Sequence, residues 1–141
     1  MEINRLVVGY DGSEGSRKAV EWAVALAGKF KSDIAVVSVV KLPEFSSSLD
    51  ELDEAYADGQ NYYRPLLEKL VKYGLEQGVA LGTEILRGHP AESLVRYAVG
   101  KKMDLLVVGT RGMGGFKSLI IGSVAQKVVT YSKVPVLVVK G

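Results

Sequence analysis

The sequence predicts an α/β protein built on a doubly wound parallel β-sheet. Five short apolar runs, most of them rich in valine, alternate with segments in which apolar residues recur at helical spacing. Buried parallel strands have nearly continuous apolar sequences, and a helix in each gap supplies the crossover that parallel pairing requires. A length of 141 residues suits one domain. We therefore expect a single folding unit over residues 1–141.

The first half of the chain supplies two strands and two helices. The run 5–10 predicts the first strand, and apolar residues within 16–30 share one side of a helix. The run 33–40 predicts the second strand, and a serine-containing loop then leads to a long helix over 52–77. Gly78 is a suitable C-terminal cap for that helix, because glycine readily adopts the left-handed conformation found after helix ends.

The second half supplies three more strands. The run 79–86 alternates more than the others, which favours a position nearer the edge of the sheet. A proline opens the next helix, predicted over 90–102, and the strand 104–109 follows. The last helix and strand complete the sheet, the strand over 134–139. The periodic apolar positions of that last helix are Ile121, Val124, Ala125, Val128 and Val129.

The last strand predicts an interface between two copies of the chain. The run Val134–Val139 is almost wholly apolar and comes last, so it is a candidate for an edge of the sheet. Pro135 fits the start of such a strand, where a missing N–H is tolerated. An exposed apolar edge invites pairing with a second chain. We expect a homodimer formed through this strand.

Composition narrows the classes of function. The chain has no cysteine and one histidine, which excludes disulfides, thiolate metal sites and multi-histidine metal sites. A net charge of +2 gives no support for nucleic-acid or membrane partners. The N-terminus enters a strand pattern directly, without the apolar region of a signal peptide. We expect a cytoplasmic protein.

The segment GTRGMGGFKSLIIGS, residues 109–123, predicts an anion site. It contains five glycines, two bases and no acid. It lacks the Gly-Lys-Ser/Thr of a P-loop, and it follows the fourth strand, whereas a dinucleotide fingerprint follows the first. Gly122 and Ser123 fall at the start of a helix, where free N–H groups favour an anion. The alternative is a surface loop with an ordinary serine cap.

The spacing G-x-x-G, nine residues, then G-S resembles the ATP-binding motif of the universal stress protein family. The segments RLVVGYDGSEGSRKAVEWAVALA, GHPAESLV, DLLVVGTRG and GSVAQKVVTYSKVPVLVVK also match the way that these proteins run, so the resemblance covers essentially the whole chain. It implies a Rossmann-like fold of the adenine nucleotide alpha hydrolase type, with strand order 3-2-1-4-5. It also implies ATP with Mg²⁺ or Mn²⁺ as ligands, a homodimer, and a regulatory role in the stress response.

The resemblance further implies which residues surround the nucleotide. Asp11 matches an acid near the ribose, the phosphates or their metal ion, and an Asx turn is its alternative role. Val39 matches a position whose backbone reads the adenine edge. Tyr10 departs from the family pattern, so its bulky ring must point out of the site or into a neighbour. The implied site residues are Gly9, Tyr10, Asp11, Val39, Gly88, Gly109, Arg111, Gly112, Gly122, Ser123 and Val124.

Two other functions stay open from the sequence. One is a slow ATPase or phosphotransferase, for which Gln126 is the one candidate to position a water, provided that it turns inward. The other is a protein-interaction module without a ligand. We assign no catalytic residue, and we expect His89 to serve in a turn.

Overall fold

The protein is an α/β sandwich of helices around one parallel sheet. A computed structural model describes residues 1–43, 48–110 and 122–141. In chain order the elements are β1 (Arg5–Gly9), α1 (Glu14–Phe30), β2 (Asp33–Val40), α2 (Leu49–Glu76), β3 (Gly82–Arg87), α3 (Pro90–Gly100), β4 (Leu105–Gly109), α4 (Ser123–Tyr131) and β5 (Val136–Val139). All neighbouring strands pair in parallel, in the order β3-β2-β1-β4-β5. The predicted fold class and strand order are confirmed.

Two apolar cores cover the two faces of the sheet. One lies under α1 and α2, and the other lies under α3 and α4. Leu6, Val7 and Val8 of β1 are all fully buried, because successive side chains of the central strand enter opposite cores. Burial of one such side chain contributes about 1.5–3 kcal/mol. This two-sided burial explains why the strands read as continuous apolar runs.

The two long helices begin earlier than the apolar periodicity predicts, because serine residues cap them. The Ser13 hydroxyl accepts a hydrogen bond from the Ser16 N–H at 3.2 Å, so α1 begins at Glu14. The Ser48 hydroxyl accepts one from the Glu51 N–H at 3.1 Å, so α2 begins at Leu49. The C-cap of α2 is Gln77, and the predicted cap residue Gly78 comes one position later, with the left-handed φ of +79° that favours glycine.

Three predicted boundaries in the second half are corrected. The predicted start of β3 at residue 79 is wrong, because the Val79 N–H donates to the Gly74 carbonyl of α2 at 2.8 Å. Helix α3 ends at Gly100, before Lys102 takes a left-handed φ of 55°. Strand β5 begins two residues later than predicted, after a turn in which the Ser132 hydroxyl donates to the Val134 carbonyl at 2.7 Å.

The strand order creates a crevice at one end of the sheet. From β1 the chain crosses through α1 to β2 on one side, and from β4 it crosses through α4 to β5 on the other. Since β1 and β4 are neighbours, their connections separate at the carboxyl ends of the strands. Such switch points are where open α/β sheets bind ligands.

Among the described residues, no helix has both the length and the apolar character needed to cross a bilayer.

Candidate functional site

A cavity opens at the switch point between β1 and β4. Its volume is about 270 Å³, which is near the lower end of the range for small-molecule sites. The carboxyl ends of β1, β2 and β4 form its base, and the first turns of α1, α3 and α4 contribute to its walls. Seven of the predicted site residues line it, namely Gly9, Tyr10, Asp11, Val39, Gly109, Gly122 and Val124.

The remaining predicted residues lie elsewhere. Gly88 does not line the cavity; it joins β3 to α3 with φ +139°, and its N–H donates to the Val40 carbonyl at 3.0 Å. Ser123 is exposed and does not line the cavity. Arg111 and Gly112 lie outside the described residues. The ligand contacts of these four residues stay predictions.

Asp11 follows β1 and is held by the first turn of α1. Its Oδ1 accepts hydrogen bonds from the Ser13 N–H at 2.9 Å and from the Ser16 hydroxyl at 2.8 Å. The bond to Ser13 is the Asx turn named above as the alternative role. This turn is compatible with a ligand, because a carboxylate has two oxygens and about four lone-pair sites. The turn continues through Gly12, whose φ of +85° favours glycine.

Tyr10 is accommodated in the protein interior. Its residue is 8% exposed and belongs to the core under α1 and α2. Burial raises the pKa of the Tyr10 phenol, the nearby Arg17 lowers it, and Tyr62 and Asp11 raise it further. The Ser38 hydroxyl donates to the Tyr10 carbonyl at 2.7 Å, which ties the end of β1 to β2. The bulk of Tyr10 is therefore absorbed by the core beside the cavity.

The backbone of Val39 faces the space beyond the end of β1. Alternate residues of a parallel strand direct their N–H and C=O groups to the same neighbour. The Val37 carbonyl accepts from the Tyr10 N–H at 2.9 Å, so Val37 faces β1. Val39 faces the same side, but β1 pairs only as far as Gly9 with Val37. Its donor and acceptor therefore point towards the cavity side, a suitable arrangement for the edge of a planar base.

Helix α4 directs its N-terminus at the cavity. Gly122 is its N-cap, with φ −62° and ψ 161°, and it supplies no side-chain hydrogen bond. Val124 and Ala125 in the first turn line the cavity. The first N–H groups of a helix have no partner within it, and that end carries a partial positive charge. A serine cap at Ser123 is not seen, because Ser123 is the first helical residue.

The donor set suits a hard cation shared with a ligand. Among the described residues there is no cluster of three side chains able to hold a metal alone. Asp11 is the one carboxylate among the described cavity residues. Mg²⁺ typically takes one or two protein carboxylates and completes its shell with phosphate oxygens and waters. Asp11 would supply the protein ligand, and the ion would neutralise phosphate charge.

Sequence reasoning missed several cavity residues. Lys41 directly follows β2, so the rule that selected residues after β1 and β4 would also have found it. Ser13 and Ser16 could have been found from their spacing after Asp11 in the first helical turn. Tyr63 comes from the middle of α2, and nothing local in the sequence connects it to the site.

The fold and the position of the cavity define a Rossmann-like α/β protein with a cavity at its switch point. The chain belongs to the universal stress protein family, whose model matches residues 2–140. It is 35% identical to universal stress protein MJ0531 of Methanocaldococcus jannaschii, covering 96% of this chain and 81% of that protein. It is 31% identical to universal stress protein YxiE of Bacillus subtilis, covering 98% and 99% of the two chains.

Solved structures share the fold. The hypothetical protein MJ0577 superposes with a TM-score of 0.88 at 23% identity, over 100% of this chain and 98% of that one. A universal stress protein in complex with cAMP superposes with a TM-score of 0.74 at 28% identity, over 96% of each chain. A family protein from Arabidopsis thaliana with AMP bound gives 0.69 at 21% identity, over 97% of this chain and 91% of that one.

Proposed function

We propose that the protein binds ATP together with Mg²⁺ or Mn²⁺ in the switch-point cavity and acts as a nucleotide-dependent regulator in the stress response. The observation that carries this proposal is that seven of the eleven site residues implied by the family resemblance line one cavity. The cAMP and AMP in structures of similar proteins support an adenine nucleotide as the ligand. Regulation would arise through partners that distinguish the loaded from the empty protein.

The two ends of the cavity suit the two ends of the nucleotide. The apolar part over β2, with Val37 and Val39, offers a surface for a base, and the backbone of Val39 offers a donor and an acceptor. The opposite part combines the N-terminus of α4 with Asp11, which suits phosphates and their metal ion. The proposed orientation places the base over β2 and the phosphates over β1 and β4.

Calorimetric titration of the nucleotide-stripped protein with Mg-ATP tests the proposal. We expect micromolar binding, with one nucleotide per chain and competition by ADP. If Mg-ATP gives no binding heat and ADP does not compete, the nucleotide proposal is contradicted. The hypothesis that remains is a protein-interaction module without a ligand. Parallel titrations with AMP and cAMP measure how much the phosphates contribute.

Gly122→Val tests the phosphate assignment. Gly122 lines the cavity and has a φ of −62°, which any residue adopts, so the backbone tolerates valine. The valine side chain would occupy the volume in which we propose that the phosphates bind. We expect at least tenfold weaker binding of Mg-ATP, about 1.4 kcal/mol. The control is Gly82→Val in β3, where an added Cβ would lie 3.9 Å from the Ile34 carbonyl oxygen. Equal affinity of both variants and the parent would contradict the assignment.

We propose that β5 forms the homodimer interface. Strand β5 is an edge of the sheet, so one side of its backbone has no neighbouring strand within the described residues. Light scattering at tens of micromolar tests this directly, and a monomeric mass would contradict it.

The alternative hypothesis for the same cavity is slow ATP hydrolysis or phosphoryl transfer. Gln126 is exposed on α4 and does not line the cavity, so the inward orientation that a water-positioning role requires is not found. The rate of phosphate release from Mg-ATP is measured for the parent and for Asp11→Asn. Release by the parent that Asp11→Asn lacks would indicate slow hydrolysis, and no release by either would indicate binding alone.

A further inference from the structure

We propose that Ser16 is a positioning residue that fixes the orientation of the Asp11 carboxylate towards the ligand. The inference rests on the proposed function, because Asp11 is assigned there to the metal and phosphates. Ser16 lies in the first turn of α1, is 6% exposed, and borders the same cavity.

The hydroxyl of Ser16 is hydrogen-bonded to both the side chain and the backbone N–H of Asp11. It donates to Asp11 Oδ1 at 2.8 Å, and its oxygen accepts from the Asp11 backbone N–H at 3.2 Å. These two bonds close a ring that includes the Asp11 side chain and its own amide. The Ser13 N–H adds a third bond, the second one to Oδ1, at 2.9 Å. Rotation of Asp11 about χ1 would break the bonds to Oδ1.

The carboxylate is the preferred acceptor for the one proton of Ser16. One other acceptor lies within reach of that proton, the Ser13 carbonyl at 3.0 Å, while the Ser13 hydroxyl donates to the Ser16 oxygen at 3.1 Å. The contact to Oδ1 is the shorter of the two in which Ser16 donates, and hydrogen bonds to ionised groups are about twice as strong as neutral ones. Ser13 is also engaged as the cap of α1, through the Ser16 N–H.

Ser16 is itself fixed by the packing of β4 on α1. A Cβ built on Gly109 would overlap the Gly15 carbonyl oxygen and would lie 3.0 Å from the Ser16 nitrogen. The backbone of Ser16 is therefore seated against the end of β4, on the opposite side of the crevice from β2. This contact fixes the backbone that carries the Ser16 hydroxyl.

The first test measures the side-chain rotamer of Asp11 without any nucleotide. Three-bond couplings about χ1 are recorded by NMR in the parent, Ser16→Ala and Ser16→Thr. We expect one rotamer in the parent, averaged couplings in Ser16→Ala, and a single rotamer again in Ser16→Thr, which keeps the hydroxyl. A single unchanged rotamer in Ser16→Ala would overturn the inference, whether or not the protein binds ATP.

The second test is a double-mutant cycle on Mg-ATP affinity with Ser16→Ala and Asp11→Ala, which removes the oxygen that accepts from Ser16. We expect Ser16→Ala to weaken binding about tenfold in the parent and less than about twofold in the Asp11→Ala background. Equal losses in both backgrounds would overturn the inference, because Ser16 would then act without Asp11. If the parent does not bind Mg-ATP, the proposed function fails and the rotamer measurement alone decides the role of Ser16.

Ser132→Ala is the matched control for loss of a serine hydroxyl. Ser132 lies past the far end of α4, and its hydroxyl donates to the Val134 carbonyl at 2.7 Å. It does not line the cavity. We expect normal Asp11 couplings and normal affinity in this variant. A loss of affinity equal to that of Ser16→Ala would overturn the specific role of Ser16.

Discussion

At the scale of the residue, Gly109 lines the cavity and also has a packing role. It ends β4 where α1 crosses the sheet, and its missing side chain lets the first turn of α1 approach the strand. An added Cβ would lie 2.6 Å from the Gly15 carbonyl carbon. The neighbouring atoms are backbone, so they cannot rotate away as a side-chain end would. The sequence motif identified this glycine for its ligand, and the structure adds a steric reason.

Gly109→Ala should therefore destabilise the protein and disturb the cavity together. We expect a loss of about 1–3 kcal/mol in unfolding free energy, the usual cost of overpacking, measured by urea denaturation. We also expect weaker Mg-ATP binding, because displacing α1 moves Ser16 and Asp11. Gly82→Ala is the control, since an added Cβ there would make only an ordinary contact of 3.9 Å with the Ile34 carbonyl oxygen. Equal stability of the two variants would contradict the packing role.

At the scale of the element, Tyr97 of α3 is coupled electrostatically to Glu84 of the edge strand β3. Burial of the phenol, followed by the hydrogen-bonding capacity and negative charge of the Glu84 carboxylate, raises the pKa of Tyr97 well above its ordinary value of about 10. Above that pH the unfolded chain releases the phenolic proton while the folded chain keeps it, so the folded state binds more protons. Unfolding free energy must then fall as pH rises through and beyond 10.

Tyr97→Phe should reduce that alkaline loss of stability. The parent should lose at most about 1.4 kcal/mol per pH unit through this group above pH 10, less where solvent screens the pair. We expect a shallower curve of unfolding free energy against pH in the variant, measured between pH 8 and 11. Tyr131→Phe is the control, since Tyr131 is 69% exposed and its phenol is hydrated in both states. Parallel curves for parent and Tyr97→Phe would contradict the assignment.

Strand β5 offers a backbone test of the proposed dimer. The carbonyls of Pro135 and Val139 accept from β4, from Leu106 and Thr110 at 2.9 and 3.1 Å. Residues at alternate positions therefore face outwards, and Val138 is one of them. Val138→Pro removes an outward N–H while leaving the ladder to β4 in place.

We expect Val138→Pro to shift the protein to monomer while its circular dichroism stays native, because proline is tolerated on the solvent side of an edge strand. Mass is measured by light scattering at matched concentration. Val138→Ile, which keeps the N–H, should remain dimeric. A dimeric Val138→Pro variant would place the interface elsewhere.

The order of strands and helices along the chain could be predicted because the apolar pattern of a segment reflects which of its faces are buried. The inner strands are buried on both faces and are therefore continuous apolar runs, whereas the helices are buried on one side only. The strand order was predicted through the family resemblance, since many orders share the same alternation of elements. Helix starts were less accurate, because hydrogen bonds from Ser13 and Ser48 begin the helices before their apolar stripes do. Cavity residues after strands were predictable from the switch-point rule. Tyr63 and Leu94 were not, since only tertiary packing brings their helices to the site.

At the scale of the whole molecule, the candidate site and the cores depend on the same strands. The central strands β1 and β4 carry the fully buried residues Leu6 and Leu106 and end at the cavity. The cavity also draws residues from α1, α2, α3 and α4, on both faces of the sheet. Opening either core would therefore dismantle the site. A ligand that binds the cavity should therefore raise the unfolding free energy of the entire chain. A measurement of that free energy then reports both on ligand binding and on whether the chain unfolds as one unit.

Thermal unfolding with and without Mg-ATP tests this linkage together with the predicted single folding unit. A ligand at one hundred times its dissociation constant stabilises the folded state by about 2.7 kcal/mol, which corresponds to a shift of roughly 10 °C for a domain of this size. We expect one transition at fixed protein concentration, moved as a whole by Mg-ATP and moved less when EDTA removes the metal. Asp11→Asn should lose the metal-dependent part of the shift and keep the remainder. Two transitions, of which Mg-ATP moves only one, would contradict the single unit, because part of the chain would then unfold without dismantling the cavity.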